Sequence, residues 1–160
     1  MRIALMVVRL ILKAPYYFFQ IWWCGRSKKV TLEEAYAVVK KVTKNANRAG
    51  RVTIESHGLE NIPAEDGFMF FPNHQGLFDV LVFLESCPRP FGFVIKKEAS
   101  NIILLKQVME ALRSYAMDRE DIKQSMQVIM NVAREGSEGR NFLIFAEGTR
   151  SKNGNQFSCF

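Results

Sequence analysis

Only histidine has an ordinary pKa that changes its charge close to neutral pH, and the sequence contains two histidines. One of them, His74, stands in the run Pro72-Asn73-His74-Gln75-Gly76-Leu77-Phe78-Asp79, directly after the apolar run Phe68–Phe71. A histidine acting as a general base needs a partner that fixes its tautomer and stabilises its cation. Asp79 is the first acid downstream, ahead of Glu85. In one continuous helix the two side chains would stand about 140° apart and could not meet. The pair therefore requires His74 in a turn, with a helix starting at or just after Gly76 and Asp79 in its first turn. Spacing alone leaves open a structural Asx-turn with no chemistry.

The second reactive-looking segment is Phe142-Leu143-Ile144-Phe145-Ala146-Glu147-Gly148-Thr149-Arg150-Ser151, an apolar strand running into a charged turn. Such a turn can offer Arg150 and backbone amides to an anion. An ordinary strand exit with a solvated arginine fits the same letters. No Gly-x-Ser-x-Gly elbow is present, and no cysteine lies near either histidine, so nothing suggests a covalent enzyme intermediate. Cys24, Cys87 and Cys159 are odd in number and far apart, without metal-ligand spacing. This argues against a disulfide framework or zinc site and for a reducing compartment.

The elements that must position these residues are legible in the periodicity. Thr31-Leu32-Glu33-Glu34 reads as a capping box opening a helix over 31–49, with Ala35, Val38, Val39, Val42 and Ala46 on one face and Gly50 as the stop. Short apolar runs suit strands at Val52–Glu55, Phe68–Phe71, Phe91–Ile95, Ser114–Met117 and Phe142–Phe145. Asp121–Glu135 reads as a helix whose apolar face is Ile122, Met126, Ile129, Met130 and Ala133. Strands alternating with helices predict an α/β fold, a mostly central β-sheet flanked by helices. With 160 residues and 48% hydrophobic content, one globular core is expected.

The net charge of +6 is concentrated in residues 1–50, where ten Lys/Arg face only Glu33 and Glu34. On a single helical wheel Arg2, Arg9, Lys13 and Gln20 form one narrow polar stripe, and almost everything else is apolar or aromatic. Pro15 should kink or split that helix. Arg9 and Lys13 interrupt the run a spanning helix would need, so an interfacial, amphipathic, membrane-docking arm over residues 1–25 is expected, followed by a domain over 26–160. A core-docking helix and a single span are the alternatives. A cleaved signal peptide is disfavoured by the bulky Trp22-Trp23. Nucleic-acid binding rests on net charge alone, without interleaved aromatic and basic residues.

Taken together and in order, the two charged segments resemble the motifs of the glycerolipid acyltransferases: NHQGLFD is similar to their NHxxxxD, and FAEGTRS to their FPEGTRS. Arg113-Ser114-Tyr115-Ala116-Met117-Asp118-Arg119 resembles that family's strand ending in Asp-Arg. Lys96-Lys97-Glu98 resembles its basic turn, and Gly58–Pro63 its lead-in. The resemblance covers roughly residues 51–153 and puts the basic arm in the place of the family's membrane-docking helices.

The resemblance implies a glycerol-3-phosphate acyltransferase-like fold and a 1-acylglycerol-3-phosphate O-acyltransferase (lysophosphatidate acyltransferase). His74 would be the catalytic base and Asp79 its orienter. Lysophosphatidic acid would be bound by Glu147, Gly148, Thr149, Arg150, Arg119 and Lys97. The donor would be acyl-CoA or acyl-carrier protein, the product phosphatidic acid, and no metal or cofactor is called for. The protein would work at the cytoplasmic face of a membrane, peripheral or monotopic. Two positions depart from the pattern: Ala146 replaces the usual proline, and Met117 fills a place often held by a branched aliphatic. Family members also continue past the second motif, so the sequence is expected to be truncated after it and weakly active or unstable by itself. The competing expectation is a non-catalytic membrane-surface protein derived from the family.

Overall fold

The computed structural model describes residues 2–73 and 78–145. Its centre is a four-stranded, all-parallel sheet in the order β1-β4-β2-β3, with β1 at Met69–Phe70, β2 at Gly92–Lys96, β3 at Tyr115–Met117 and β4 at Phe142–Ile144. The last strand of the four is thus inserted between the first two. Helices are α1 (Arg2–Leu10), α2 (Ala14–Arg26), α3 (Leu32–Ala49), α4 (Phe78–Ser86), α5 (Leu105–Ala111) and α6 (Ile122–Ser137).

Parallel strands bury both faces, and the central strands here are apolar over residues 92–95 and 142–144. One face packs Phe93 and Leu143 against Ile21, Tyr36, Val39, Leu84 and Leu112 from α2, α3, α4 and the end of α5. The other face packs Val94 and Phe142 against Val128 and Val132 of α6.

The α3 capping box forms as expected. The Thr31 hydroxyl accepts from the Glu34 N–H at 3.2 Å, and the Glu34 carboxylate accepts from the Thr31 N–H at 2.9 Å. Four of the five expected strands form. Val52–Glu55 does not. Its alternation is real, with Val52 and Ile54 half-buried between exposed neighbours. It does not pair with the sheet, and it leads to a Ser56–Ser86 hydroxyl contact of 2.6 Å.

The expected apolar face of α6 is also corrected. Ile122, Met126, Ile129, Met130 and Ala133 are exposed among the described residues, while Val128, Val132 and Gly136 face the sheet. The polar residues on that inner face are each satisfied. Gln124 donates to the Ala116 carbonyl and accepts from the Asp118 N–H, Ser125 donates to the Asp118 carbonyl, and Glu135 accepts from Tyr115 and Arg140.

The N-terminal arm is two helices bent by 95° rather than one, so the single polar stripe does not exist: Arg9 lies on α1 and Gln20 on α2. Pro15 sits in the first turn of α2, where its missing N–H costs nothing. Continuing the helix back through it would strand the Ile11 carbonyl and bring the ring against it. Arg9 donates to the Ala49 carbonyl at the end of α3, at 3.0 Å. Tyr17 accepts from Asn45 at 3.1 Å, and Ile21 is 1% exposed in the core. Gly25 allows α2 to approach α5 closely: a Cβ there would lie 3.0 Å from the Glu110 Cβ. One side of the arm is therefore docked on α3 and α5, while Val8, Leu12, Tyr16, Phe19 and Trp23 point away from it and are exposed. No single described helix is long and apolar enough to cross a membrane.

Candidate active site

In a parallel sheet all strands point the same way, so the segments leaving them gather along one edge. β1 leads through Phe71 and Pro72 to Asn73, β2 to Lys96 and Lys97, β3 to Asp118 and Arg119, and β4 to Phe145. All the segments singled out for chemistry thus follow directly on the carboxyl ends of the four strands. His74, Glu147, Gly148, Thr149 and Arg150 themselves lie outside the described residues, as does the expected facing of the His74 ring toward residues 147–150. Asp79 is described, and it stands in the first turn of α4 as the turn argument requires. A carboxylate is electrostatically favoured in the first turn of a helix by the positive end of its dipole.

Lys97 opens a 3-10 turn, Lys97–Asn101, at the end of β2. Its ammonium donates to the Asp118 carboxylate, just past the end of the neighbouring strand β3, at 2.8 Å. That hydrogen bond raises the Lys97 pKa and lowers that of Asp118 from their ordinary values. Asp118 also accepts from the Glu120 N–H at 3.1 Å, so the turn carrying Arg119 between them is braced. The structure thus brings Lys97 and Arg119 together at one corner, with Lys97 already charge-paired. An ammonium has three donors, and one bond to Asp118 leaves capacity for a phosphate oxygen. Lys96 is paired with Glu98 at 2.9 Å, and this contact lowers the Glu98 pKa.

Two positioning features escaped the sequence reading. Asn141, immediately before β4, is 4% exposed. It accepts from the Gly67 and Phe68 N–H groups at 2.8 and 3.3 Å and donates to Asp66 and the Pro90 carbonyl at 2.7 and 2.9 Å. It therefore ties the starts of β1, β2 and β4 together. At the end of α4, Asn47 of α3 donates to Glu85 at 2.6 Å, and Tyr36 donates to the Cys87 carbonyl at 3.0 Å. These contacts hold the helix that carries Asp79. Both rest on long-range contacts that no local pattern announces. Cys87 itself is buried, and burial raises its thiol pKa, which fits a packing role. Among the described residues no cluster of His, Cys, Asp or Glu could hold a metal ion.

Residues 53–159 match the model of the acyltransferase family. The chain belongs to that family. It is 28% identical over 97 residues to a 1-acyl-sn-glycerol-3-phosphate acyltransferase of Borreliella burgdorferi, a match covering 61% of this chain and 39% of the relative. It is 30% identical over 88 residues to the enzyme of that name from Helicobacter pylori, covering 55% of this chain and 37% of the relative. The chain thus aligns with well under half the length of these acyltransferases. The crystal structure of the 1-acyl-sn-glycerophosphate acyltransferase PlsC from Thermotoga maritima superposes with a TM-score of 0.70 at 23% identity, covering 99% of this chain and 67% of that one. That likeness establishes the acyltransferase fold, including the parallel sheet flanked by helices. The family match opens at residue 53, ahead of the Gly58–Pro63 lead-in.

Proposed function

We propose that this chain carries the acyl-transfer site of a lysophosphatidate acyltransferase, moving an acyl group from acyl-CoA or acyl-carrier protein onto the free hydroxyl of 1-acylglycerol-3-phosphate to give phosphatidic acid. The observation that carries this reading is the common edge: the family's motif segments follow directly on the carboxyl ends of four parallel strands. The names of the bacterial relatives supply the substrate class.

In this mechanism His74 takes the proton of the acceptor hydroxyl as its oxygen attacks the thioester carbonyl. Collapse of the tetrahedral intermediate breaks the C–S bond, and the imidazolium returns the proton to the leaving thiolate. Asp79 fixes the imidazole and supports its cation. Arg119 and Arg150, with Lys97, offer the phosphate a cationic clamp, for which the guanidinium fork is the better match. On this reading Glu147 orients Arg150, and Gly148 and Thr149 offer their backbone amides to the same phosphate. The exposed apolar side of α1 and α2, with Arg9 and Lys13, would rest on the cytoplasmic face of a membrane, where the lysophosphatidate acceptor resides.

The test is transfer of labelled acyl groups to lysophosphatidate by the purified chain. His74→Ala should lower the rate by about a hundredfold or more, and Asp79→Asn should follow the same direction with unchanged circular dichroism. Turnover that survives His74→Ala would remove the assigned base. Vesicle binding by the wild-type chain with no turnover on any donor would favour a non-catalytic surface protein instead.

A further inference from the structure

The connection from β2 to α5 carries an apolar tip that neither the family motifs nor the fold requires. Ile102, Ile103 and Leu104 follow the Lys97–Asn101 turn, and Ile103 is 79% exposed. Three consecutive exposed aliphatic residues are uncommon in a surface loop. The tip has a defined conformation. Ile102 donates from its N–H to the Ala99 carbonyl at 3.1 Å and accepts from the Lys106 N–H at 3.0 Å. Leu104 has φ of 73°, a left-handed conformation that a leucine rarely adopts, and the Gln107 side chain accepts from its N–H at 2.7 Å.

The position of the tip follows from topology. It leaves the carboxyl end of β2, so it lies at the sheet edge that holds Lys97, Asp118 and Arg119. The start of α2 lies at that end as well. Gly25 at the end of α2 meets Glu110 and Ala111 at the end of α5, and the two helices pack along each other, so they run in the same direction. The bend between α1 and α2 therefore projects beside the start of α5. Leu12 in that bend is 93% exposed and Ile11 is 62% exposed. Phe71, at the end of β1, is 61% exposed on the same edge. Basic side chains around this apolar rim include Arg9, Lys13, Lys96, Lys97 and Lys106, all exposed. Lys96 and Lys97 are paired with carboxylates, which leaves Arg9, Lys13 and Lys106 to attract an anionic surface.

We propose that Ile102, Ile103 and Leu104 form a second lipid-insertion point, so that the protein meets an anionic bilayer through this tip and the neighbouring α1–α2 bend together. The inference rests on the membrane reading above. Adjacent insertion points on two chain segments enlarge the contact and restrain rotation about it. A bend alone would let the body swing about it, whereas two contacts hold the carboxyl edge of the sheet toward the headgroups. Shallow insertion of aliphatic side chains combined with a basic rim is the chemistry by which peripheral proteins select anionic interfaces.

The test is sedimentation of the full chain with vesicles of phosphatidylglycerol and phosphatidylcholine. It compares the wild type with Ile102→Ser/Ile103→Ser, with Ile11→Ser/Leu12→Ser, and with Ile129→Ser/Met130→Ser on the exposed face of α6. The tip pair should lower partitioning by about tenfold, as should the bend pair, while the α6 pair leaves it within about twofold and all four melt alike. Loss confined to the bend variant overturns the second insertion point and leaves the membrane reading intact. Loss confined to the α6 variant places a different face on the lipid and also overturns the proposal. Absence of binding by the wild type removes the membrane reading itself. A change from dimer to monomer in the tip variant on gel filtration, with vesicle binding unaltered, would assign the tip to self-association.

Discussion

Replacing Asn141 by alanine removes four hydrogen bonds at one buried point. Two of them serve the Gly67 and Phe68 N–H groups, one the Pro90 carbonyl, and one the Asp66 carboxylate, which is also gripped by Arg89 at 2.6 Å. Each neutral bond contributes about 1 kcal/mol net and the charged one about 2 kcal/mol. The 3.3 Å bond to Phe68 is at the weak end. Relief comes only where water can reach the abandoned groups, which the partly exposed Asp66 permits and the start of β4 does not. The expected loss is about 3–4 kcal/mol, large against the 5–15 kcal/mol that typically holds a domain together. In urea monitored by far-ultraviolet circular dichroism, with a slope of about 1.5–2 kcal/mol/M, the midpoint should fall by about 2 M. Asn141→Asp retains the acceptor but sets a second carboxylate beside Asp66, so it should be no better at neutral pH. A loss below about 1 kcal/mol for Asn141→Ala would refute the claim that this side chain ties β1, β2 and β4 together.

The remaining predictions concern the site corner and the arm. Lys97→Ala and Arg119→Ala should each raise the KM for lysophosphatidate by about tenfold with a smaller change in kcat, measured in steady-state assays; unchanged KM in both would remove the phosphate clamp from this corner. Asp118 has a lowered pKa, so its contribution to stability is present above the ordinary aspartate range and lost as pH falls through the folded value. Lys97 has a raised pKa, so its contribution is present below the ordinary lysine range and lost as pH rises through the folded value. The stability difference between the parent and Asp118→Asn should accordingly be flat across the neutral range and close at both extremes, read by denaturation at a series of pH values. Gly25→Val should cost about 2 kcal/mol in the same denaturation, because the added carbons meet Glu110 and the Ala111 backbone.

The sequence discloses those parts of the molecule in which local chemistry and long-range packing agree. Thr31 and Glu34 specify the start of α3 whatever the surroundings, and the apolar runs around Phe93 and Leu143 could hardly be anything but buried strands. Asp79 stands in the first turn of α4, where the spacing from His74 and Gly76 predicts it. The readings that fail are those in which periodicity offered two answers. Val52–Glu55 alternates like a strand yet lies outside the sheet. On α6 the more apolar face looked inward, whereas the sheet takes Val128 and Val132 and satisfies the polar residues beside them. The bend at residues 11–13 turns on Pro15, but a helical wheel drawn through it merges two helices into one stripe. Asn141 and Asn47 left no trace in any pattern, because their value lies in partners 38 to 75 residues away.

The strand order has a consequence for biosynthesis. β4 lies between β1 and β2, so a nascent chain that has emerged only as far as α6 holds a sheet with a gap at its centre. Met69 and Phe70 on one side of that gap and Gly92 and Phe93 on the other have no common neighbour until Phe142 and Leu143 arrive. The facing edges of β1 and β2 must therefore wait, apolar and unpaired, while some seventy residues are made, for the ribosome to deliver three more. Such an interval of exposed strand edges is when chaperones and proteases compete for a chain. The gap-filling strand acts as a keystone, and substitutions in Phe142–Ile144 should register first as lost yield during synthesis.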